Sequence, residues 1–258
     1  MAISISAVIV TLNEEHNIGR CIDSLSGVAD EIIVLDSYST DKTEEICRTK
    51  GLKFFQKPWQ GYSASKNYAN DLATMDYVLS IDADEILSDE LRHSILDQKK
   101  NPLFKSYSFN RLTNYCGHWI RYCGWYPDTK VRLFKRGEAI WAGEIHEELA
   151  FKTATEVKKL KGDLLHYSFP TIASHINTLN SFSEIAAKDA FRKRKRVSFI
   201  LHIILNPLFT FFKKYIFQKG FLDGYYGFII CLTSGFANFI KYVKLNELWR
   251  NEGHKNPY

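Results

Sequence analysis

The chain has 258 residues, enough for one large domain or for one domain with an appendage. Its composition, 45% hydrophobic and 24% charged, is that of a folded protein and excludes a disordered chain. The net charge of +5 suits an anionic partner such as a nucleotide, a membrane surface or a nucleic acid, and it does not choose among them.

The cysteines and the first residues bear on where the protein works. The five cysteines are scattered, and no pair has the spacing of a zinc finger or of a C-x-x-C redox motif. We therefore expect reduced thiols in a cytosolic protein. Residues 2–10 are mostly apolar and have no basic stretch before them, which favours a first buried strand over a signal peptide.

The first 90 residues alternate between apolar strand patterns and helical patterns. The strand patterns are nearly continuous in their hydrophobicity, which predicts a parallel sheet covered by helices on both faces. The predicted strands are 3–10, 31–36, 53–55 and 77–81.

The rest of the chain has a different pattern. Short alternating runs at 107–109, 131–134 and 164–166 predict a mixed or antiparallel extension of the sheet, and the pattern is helical from about residue 172. We predict one domain over residues 1–170, with halves at 1–90 and 91–170, and a helical region over 171–258.

Polar residues follow three of the predicted strands. They lie at 11–15, 36–41 and 82–85. Because ligands bind at the carboxyl ends of parallel strands, we expect all three clusters to face one crevice.

The third cluster contains Asp82-Ala83-Asp84, which comes directly after a buried strand. Its two carboxylates can present oxygens to Mg²⁺ or Mn²⁺, and such a cation neutralises the charge that develops on a departing diphosphate. The Asp-x-Asp pattern alone is a weak signal, because acidic loops are usually just solvated. Here the pattern follows the third strand that ends in polar residues, and this position supports a ligand-binding role.

Three strings together resemble the signature of family 2 glycosyltransferases, which have the GT-A fold. They are residues 8–15, 36–43 and 82–85. Residues 125–135 and 145–149 resemble the bacterial lipopolysaccharide-core branch, typified by inner-core β-1,4-glucosyltransferases. The resemblance implies an α/β protein with a GT-A-type, Rossmann-like, mostly parallel sheet. It also implies that residues 1–170 are the catalytic domain, with 1–90 as its nucleotide-binding half and 91–170 as its acceptor half.

The resemblance also implies a donor-binding set. This set is Thr11, Asn13, Glu14, Asp36, Lys66, Asn67, Asp82 and Arg132. Thr11 and Glu14 are expected to line the nucleoside pocket, and Asp36 to hydrogen-bond the uracil or the ribose. Lys66 and Asn67 match a segment that closes over the base.

The predicted metal ligands are Asp84, Asp82 and His166. We expect Asp84 to contact the metal directly and Asp82 to act through the ribose or a metal-bound water. His166 follows an apolar strand, so it is a third ligand, a donor to the diphosphate or a core histidine. Arg132 either contacts the diphosphate with its guanidinium or forms half of a structural salt bridge.

Inverting transfer needs a carboxylate that takes the proton of the attacking hydroxyl. Glu147 is the favoured base, because His146-Glu147 is the better match to the bacterial branch. Glu144 and Asp128 are the alternatives.

The C-terminal third combines apolar stretches with cations. Residues 197–212 and 221–240 are strongly apolar, but Asn206-Pro207 interrupts the first and Asp223 the second. Five consecutive cations at 192–196 precede them. This pattern favours a membrane-associating helical appendage on an anionic surface, with packing or oligomer contact and true spanning as alternatives.

Together these features predict a metal-dependent, inverting glycosyltransferase. It is expected to move a sugar, glucose by resemblance, from a UDP-sugar donor to a lipopolysaccharide-core or other lipid-linked glycan acceptor. Its expected location is the inner face of the cytoplasmic membrane, and no nucleic-acid partner is expected. The alternatives are a sugar-phosphate nucleotidyltransferase and a non-catalytic, membrane-bound sugar-nucleotide-binding protein.

Overall fold

The computed structural model of the protein describes residues 2–143 and 148–255, and the chain divides into two compact units. The sheet unit comprises Met1–Leu112 and Asp128–Tyr167, and the helical unit comprises Thr113–Pro127 and Ser168–Tyr258. The predicted domain boundary near residue 170 stays a prediction. The structure adds that residues 113–127 belong with the C-terminal segment.

A parallel sheet forms the first half of the sheet unit. Its elements are β1 (Ile5–Thr11), α1 (Ile18–Ser24), β2 (Glu31–Asp36), α2 (Thr43–Thr49), β3 (Lys53–Gln56), α3 (Tyr62–Asp71) and β4 (Tyr77–Asp82). The strand order is β3-β2-β1-β4, and all three pairings are parallel. The predicted parallel sheet is confirmed.

A mixed extension continues the sheet beyond β4. Its elements are β5 (Glu85–Leu87), α4 (Asp89–Lys100), β6 (Ser106–Tyr115), β7 (His118–Ile120), β8 (Asp128–Lys135), β9 (Ala139–Ala142), β10 (Glu148–Phe151) and β11 (Val157–Phe169). The order continues β4-β8-β6-β11-β5, and β8 runs antiparallel to both β4 and β6. β9 and β10 form a separate antiparallel pair. The predicted extension is confirmed.

Successive side chains of β1 point to opposite faces of the sheet and pack into the core on each face. Ile5 and Ile9 pack in one core with residues of α1 and α4, whereas Val8 packs in a second core with Ala69 of α3. Side chains alternate between the two faces of a strand, so a strand that is apolar throughout must be covered on both. This arrangement confirms the predicted helices on both faces.

The helical unit contains α5 (Ile172–Arg192), α6 (Asn206–Phe212) and α7 (Gly224–Lys255). π-helical turns at Phe199–Leu205 and Lys213–Phe217 extend α6 at both ends, and a 3₁₀ turn at Gly220–Asp223 leads into α7. We call the stretch from Phe199 to Lys255 the helical hairpin.

The two arms of the hairpin run antiparallel in close contact. The rings of Phe211 and Phe228 lie 5.8 Å apart, and a Cβ on Gly235 would lie 2.8 Å from the carbonyl oxygen of Pro207. Glycine is therefore required at 235 for this approach. Phe199–Phe217 and Gly220–Glu252 are long and apolar enough to cross a bilayer, judged by length and composition alone.

Candidate active site

Three strand ends meet at one edge of the sheet because β1 lies between β2 and β4. Thr11 is opposite Asp36 in the β1–β2 register, and Val10 is opposite Asp82 in the β1–β4 register. The polar residues at these ends therefore share the edge at which ligands bind in such sheets.

Side-chain hydrogen bonds tie the loop after β1 to the loop after β2. Asn13 donates its backbone N–H to Ser39 Oγ at 2.8 Å and accepts the Thr40 N–H on Oδ1 at 2.8 Å. Asp36 is fully buried and accepts the Ser39 N–H at 2.8 Å. Asn13 has φ of 55°, in the left-handed region that asparagine tolerates better than most residues. Asn13 and Asp36 thus fix both loops, and their donor contacts stay predictions.

Thr11 is buried and Glu14 half-buried beside the end of β1. Within the described residues, Thr11 Oγ1 is buried without a hydrogen-bond partner. Glu14 accepts a hydrogen bond from Asn17 Nδ2 at 2.6 Å. Burial raises the pKa of Glu14, and the nearby Asp84 carboxylate adds to the rise. Unsatisfied buried groups and raised carboxyl pKa values are typical of ligand sites.

Asp82 lies between two buried cations. Its Oδ1 is 3.0 Å from Lys66 Nζ, and its Oδ2 is 2.7 Å from Arg132 Nη2. Burial opposes ionisation, but Arg132 and Lys66 outweigh it and hold the pKa of Asp82 well below its usual range. Asp82 is therefore a compensated carboxylate and a poor proton acceptor.

Glu85 extends this charge network into the sheet. It is fully buried, and it accepts the backbone N–H of Asp82 at 2.9 Å and a hydrogen bond from Arg132 at 3.2 Å. Arg111 lies 3.5 Å from Glu85 and reaches Asp128 at 2.8 Å. Acids and cations thus alternate from β4 to the start of β8.

Asp128 is held at the far end of that network. Besides Arg111, Lys130 lies 3.1 Å from its carboxylate. Burial opposes ionisation, but Arg111 and Lys130 lower the pKa of Asp128. A carboxylate that is stabilised in this way is a weaker base than an unpaired one.

Within the described residues, Asp84 is paired with His166 and not with a lysine or arginine. Its Oδ2 is 3.1 Å from His166 Nε2, with side chains 23% and 13% exposed. Burial opposes protonation of the imidazole, but the hydrogen bond to Asp84 raises the pKa of His166. His166 Nδ1 is buried without a hydrogen-bond partner among the described residues. Within 2–143 and 148–255, no group of three or more His, Cys, Asp or Glu side chains lies close enough together to hold a metal ion. The predicted metal ligands stay predictions.

Trp141 of β9 lies over the two cations that hold Asp82. Its ring centroid is 4.8 Å from Lys66 Nζ and 5.7 Å from Arg132 Cζ, within the range of cation–π attraction. Asn67 fixes the strand by donating to the Trp141 carbonyl at 2.9 Å and accepting its N–H at 2.8 Å. Asn67 thereby positions β9, and its predicted contact with the base stays a prediction.

The site gathers most of the predicted residues and adds three. Glu85, Arg111 and Trp141 were not in the predicted set, although Glu85 directly follows the Asp-x-Asp triplet and Trp141 precedes the predicted base. Arg111 has no local signal, because only the pairing of β6 with β8 brings it to Asp128. Glu144 and Glu147 lie outside the described residues.

Comparison with known proteins identifies the class. The model of glycosyl transferase family 2 matches residues 6–123. An uncharacterized glycosyltransferase of Rickettsia bellii (strain RML369-C) is 34% identical over 256 residues, which are 95% of this chain and 86% of the relative. The chain therefore belongs to the family 2 glycosyltransferases and is a glycosyltransferase. This confirms the predicted family and enzyme class and sets the nucleotidyltransferase aside.

Two further proteins extend the comparison. The lipopolysaccharide core biosynthesis glycosyltransferase LpsC of Rhizobium meliloti (strain 1021) is 27% identical over 255 residues, covering 93% of this chain and 91% of that protein. The mannosyltransferase PcManGT of Pyrobaculum calidifontis, solved in complex with GDP-Man and Mn²⁺, has a TM-score of 0.57 at 15% identity and covers 97% of this chain and 88% of its own. The second likeness shows the fold alone.

Proposed function

We propose that this glycosyltransferase transfers a sugar, glucose in the first instance, from a UDP-sugar to a lipopolysaccharide-core or other lipid-linked glycan, with inversion at the anomeric carbon. The observation that carries the proposal is the unequal environment of the two acids after β4. Asp82 is compensated by Lys66 and Arg132, whereas the ion-pair partner of Asp84 among the described residues is a histidine at 3.1 Å.

Asp84 and His166 would hold Mg²⁺ or Mn²⁺. The pair fits such an ion, because one carboxylate and one imidazole leave the other positions to phosphate oxygens and water, as Mg²⁺ sites commonly do. Nδ1 of His166, which is buried and has no hydrogen-bond partner among the described residues, also suits a site that a ligand completes. When bound, the cation supplies charge stabilisation for the departing diphosphate.

The cations and hydroxyls of the chain would bind the donor. Asp82 keeps Lys66 and Arg132 in fixed positions at the strand end, where their charge favours a diphosphate without reorganisation. Thr11 Oγ1, which has no partner within the described part of the chain, is a hydroxyl for the nucleoside. The Asp36 carboxylate accepts from Ser39 and from Gln56, and its remaining lone-pair capacity suits one ribose hydroxyl.

Glu147 is the proposed base, with Glu144 as the alternative. Asp128 is less suited because Arg111 and Lys130 stabilise its ionised form. Both glutamates follow Trp141 within six residues along the chain, and Trp141 lies over Lys66.

A lipid-linked acceptor would place the enzyme on the cytoplasmic face of the membrane. Two observations support this location. LpsC, which matches nearly the whole chain, is named for lipopolysaccharide core biosynthesis. The exposed apolar residues of the hairpin also lie directly after five consecutive cations.

Asp84→Asn tests the proposed metal role. We expect it to lower the rate of UDP release by at least a hundredfold, as removal of a main electrostatic group commonly does. It should also abolish stabilisation by a UDP-sugar with Mn²⁺ in thermal unfolding. Asp97→Asn, at a carboxylate that is 74% exposed, is the matched control. Full activity of Asp84→Asn, or of the wild type in EDTA, would remove the metal from the proposal.

A screen of nucleotide sugars tests the donor. With Mn²⁺ present, a UDP-sugar is expected to raise the melting temperature by mass action, and UDP-glucose most of all. Stabilisation by GDP-sugars alone would contradict the proposed nucleotide, and stabilisation by another UDP-sugar alone would contradict the proposed sugar.

A further inference from the structure

The helical hairpin carries a large apolar surface that the described residues leave uncovered. Exposed fractions reach 69% at Phe199, 64% at Phe209 and 78% at Phe217 on the first arm, and 65% at Tyr225 on the second. Apolar patches on soluble monomers rarely exceed a few hundred Å². A surface of this kind normally has a partner.

On each arm the exposed apolar residues form a stripe. In the first arm they recur at Leu201, Leu205, Leu208, Phe212 and Ile216. Spacings of three and four residues place such side chains on one helix face. The opposite face of this arm packs on α7 through the contacts described above.

Cations lie at both ends of the hairpin. Arg192–Arg196 are all exposed and end three residues before Phe199, and Lys213 and Lys219 are exposed near the turn. A large apolar surface with cations beside it complements a bilayer with anionic headgroups. A second copy of this chain would bring the same cations together, which disfavours it as the partner.

We propose that the hairpin lies in the plane of an anionic membrane leaflet, with its apolar stripes in the acyl region and α5 toward the water. This inference adds a mode of membrane attachment to the proposed function. Its biological purpose rests on the lipid-linked acceptor proposed there. It also excludes the other reading of the two long apolar helices, in which they cross the membrane.

The turn of the hairpin is fastened to residues 121–123. Asp223 is buried and accepts the backbone N–H groups of Arg121 and Tyr122 at 3.2 and 2.8 Å. Lys214 donates to the Cys123 carbonyl at 2.9 Å. The acid that interrupts the apolar sequence is thus paired with protein, and the turn end is held within the helical unit.

Helix α5 accompanies the second arm toward its other end. Leu179 and Ala237 line one cavity, Ala190 packs in one cluster with Leu245, and the Trp249 Nε1–H donates to the Lys195 carbonyl at 2.8 Å. A hairpin that crossed a bilayer would therefore take α5 across with it.

The outer face of α5 carries an exposed ion pair that is unfavourable at that position. Glu184 and Lys188 form an i,i+4 ion pair at 2.7 Å with side chains 52% and 54% exposed. Charged side chains on a lipid-facing surface at bilayer depth are strongly disfavoured. An in-plane hairpin avoids this, because its apolar stripes face lipid while α5 stays in water.

Vesicle flotation of the full-length protein tests the surface. We expect binding to phosphatidylcholine vesicles that contain 30% phosphatidylglycerol, roughly, and at least about tenfold weaker binding to phosphatidylcholine alone. The double variant Phe209→Glu, Phe217→Glu should bind on the order of a hundredfold more weakly, since each buried phenylalanine is worth about ten- to a hundredfold. Leu103→Glu, at a position 70% exposed in the sheet unit, should bind like the wild type.

A second pair of variants tests the cations. Arg192→Gln with Lys195→Gln should weaken binding to anionic vesicles by roughly thirtyfold, at about fivefold per cation near the surface. Lys152→Gln with Lys161→Gln removes the same charge from exposed positions of the sheet unit and should have no effect. Equal binding by the phenylalanine variant and the wild type overturns the proposal. The proposal is also overturned if the wild type is a dimer and the phenylalanine variant is a monomer that binds vesicles as the wild type does.

Thiol labelling tests the in-plane arrangement. Lys219→Cys marks the turn, Arg250→Cys marks the other end, and both positions are exposed. A membrane-impermeant maleimide added to intact spheroplasts of the expressing bacterium should label neither variant above the wild-type background, and should label both after lysis. Labelling of either end before lysis overturns the arrangement.

The proposed function and this inference can fail separately. Vesicle binding without UDP release from any UDP-sugar would reject the proposed function alone. UDP release without vesicle binding would reject the membrane surface alone.

Discussion

Replacing Arg132 by methionine tests whether the network at the end of β4 is held by charge. Arg132 is 5% exposed on its side chain and lies 2.7 Å from Asp82 and 3.2 Å from Glu85. At about 3 Å and an effective dielectric constant of about 20, each attraction is on the order of 5 kcal/mol, and desolvation offsets much of it. We expect the free energy of unfolding to fall by about 3 kcal/mol. This is the lower end of the range for a broken buried pair, because Lys66 still compensates Asp82.

A double-mutant cycle isolates the part of this stability loss that comes from the attraction between Arg132 and Asp82. The second change is Asp82→Asn, and stability is measured by urea unfolding at pH 7. The sum of the stability losses of the two single variants should exceed the loss of the double variant by about 1.5–3 kcal/mol. The exposed i,i+4 pair Arg48–Glu44, at 2.7 Å, is the matched control and should give about 0.3–0.5 kcal/mol. Additive losses at Asp82 and Arg132, within about 0.5 kcal/mol, would refute the reasoning.

Three further predictions concern stability and the base. Burial opposes ionisation of Glu31, but bonds from Lys53 and other donors lower its pKa from 4.5 to about 2, so this carboxylate stabilises the fold by about 3 kcal/mol above pH 4.5. The stability advantage of wild type over Glu31→Gln should therefore shrink as the pH of urea unfolding falls from 7 to 3, and a constant difference would contradict it. A Cβ at Gly227 would lie 1.9 Å from a backbone carbonyl oxygen, so Gly227→Ala should cost at least 1–3 kcal/mol, roughly, whereas Gly19→Ala, whose nearest atom is 3.8 Å away, should cost nothing. Glu147→Gln should lower kcat by about 10²–10⁴-fold and Asp128→Asn by less than about tenfold, and the reverse order in steady-state kinetics would make Asp128 the base.

The local part of the fold was predictable from the sequence. Strands β1, β2 and β4 are continuous apolar runs, and parallel strands covered on both faces need no other pattern. The polar residues directly after them had to meet at one edge, because the carboxyl ends of parallel strands lie together. That argument reaches Thr11, Asp36 and Asp82 without any knowledge of packing.

Long-range pairing was not predictable in the same way. Arg132 is about fifty residues from Asp82 along the chain, and only the antiparallel insertion of β8 beside β4 brings them to 2.7 Å. The sequence left Arg132 as either a diphosphate contact or half of a structural salt bridge. The structure shows its ion pair with Asp82, and the diphosphate contact stays a prediction. Glu85 and Arg111 escaped prediction because their roles depend on that same insertion.

The C-terminal region shows the same division. Its sequence alone indicated helices rich in apolar residues and cations, because composition and spacing are local properties. Only the tertiary structure pairs Asp223 with the backbone of residues 121–123 and lays polar α5 along α7. The family of this chain could thus be recognised from residues close to one another in the sequence. Which carboxylate is compensated, and which face of the hairpin is free, was decided by contacts between segments far apart in sequence, since charge and burial act through space.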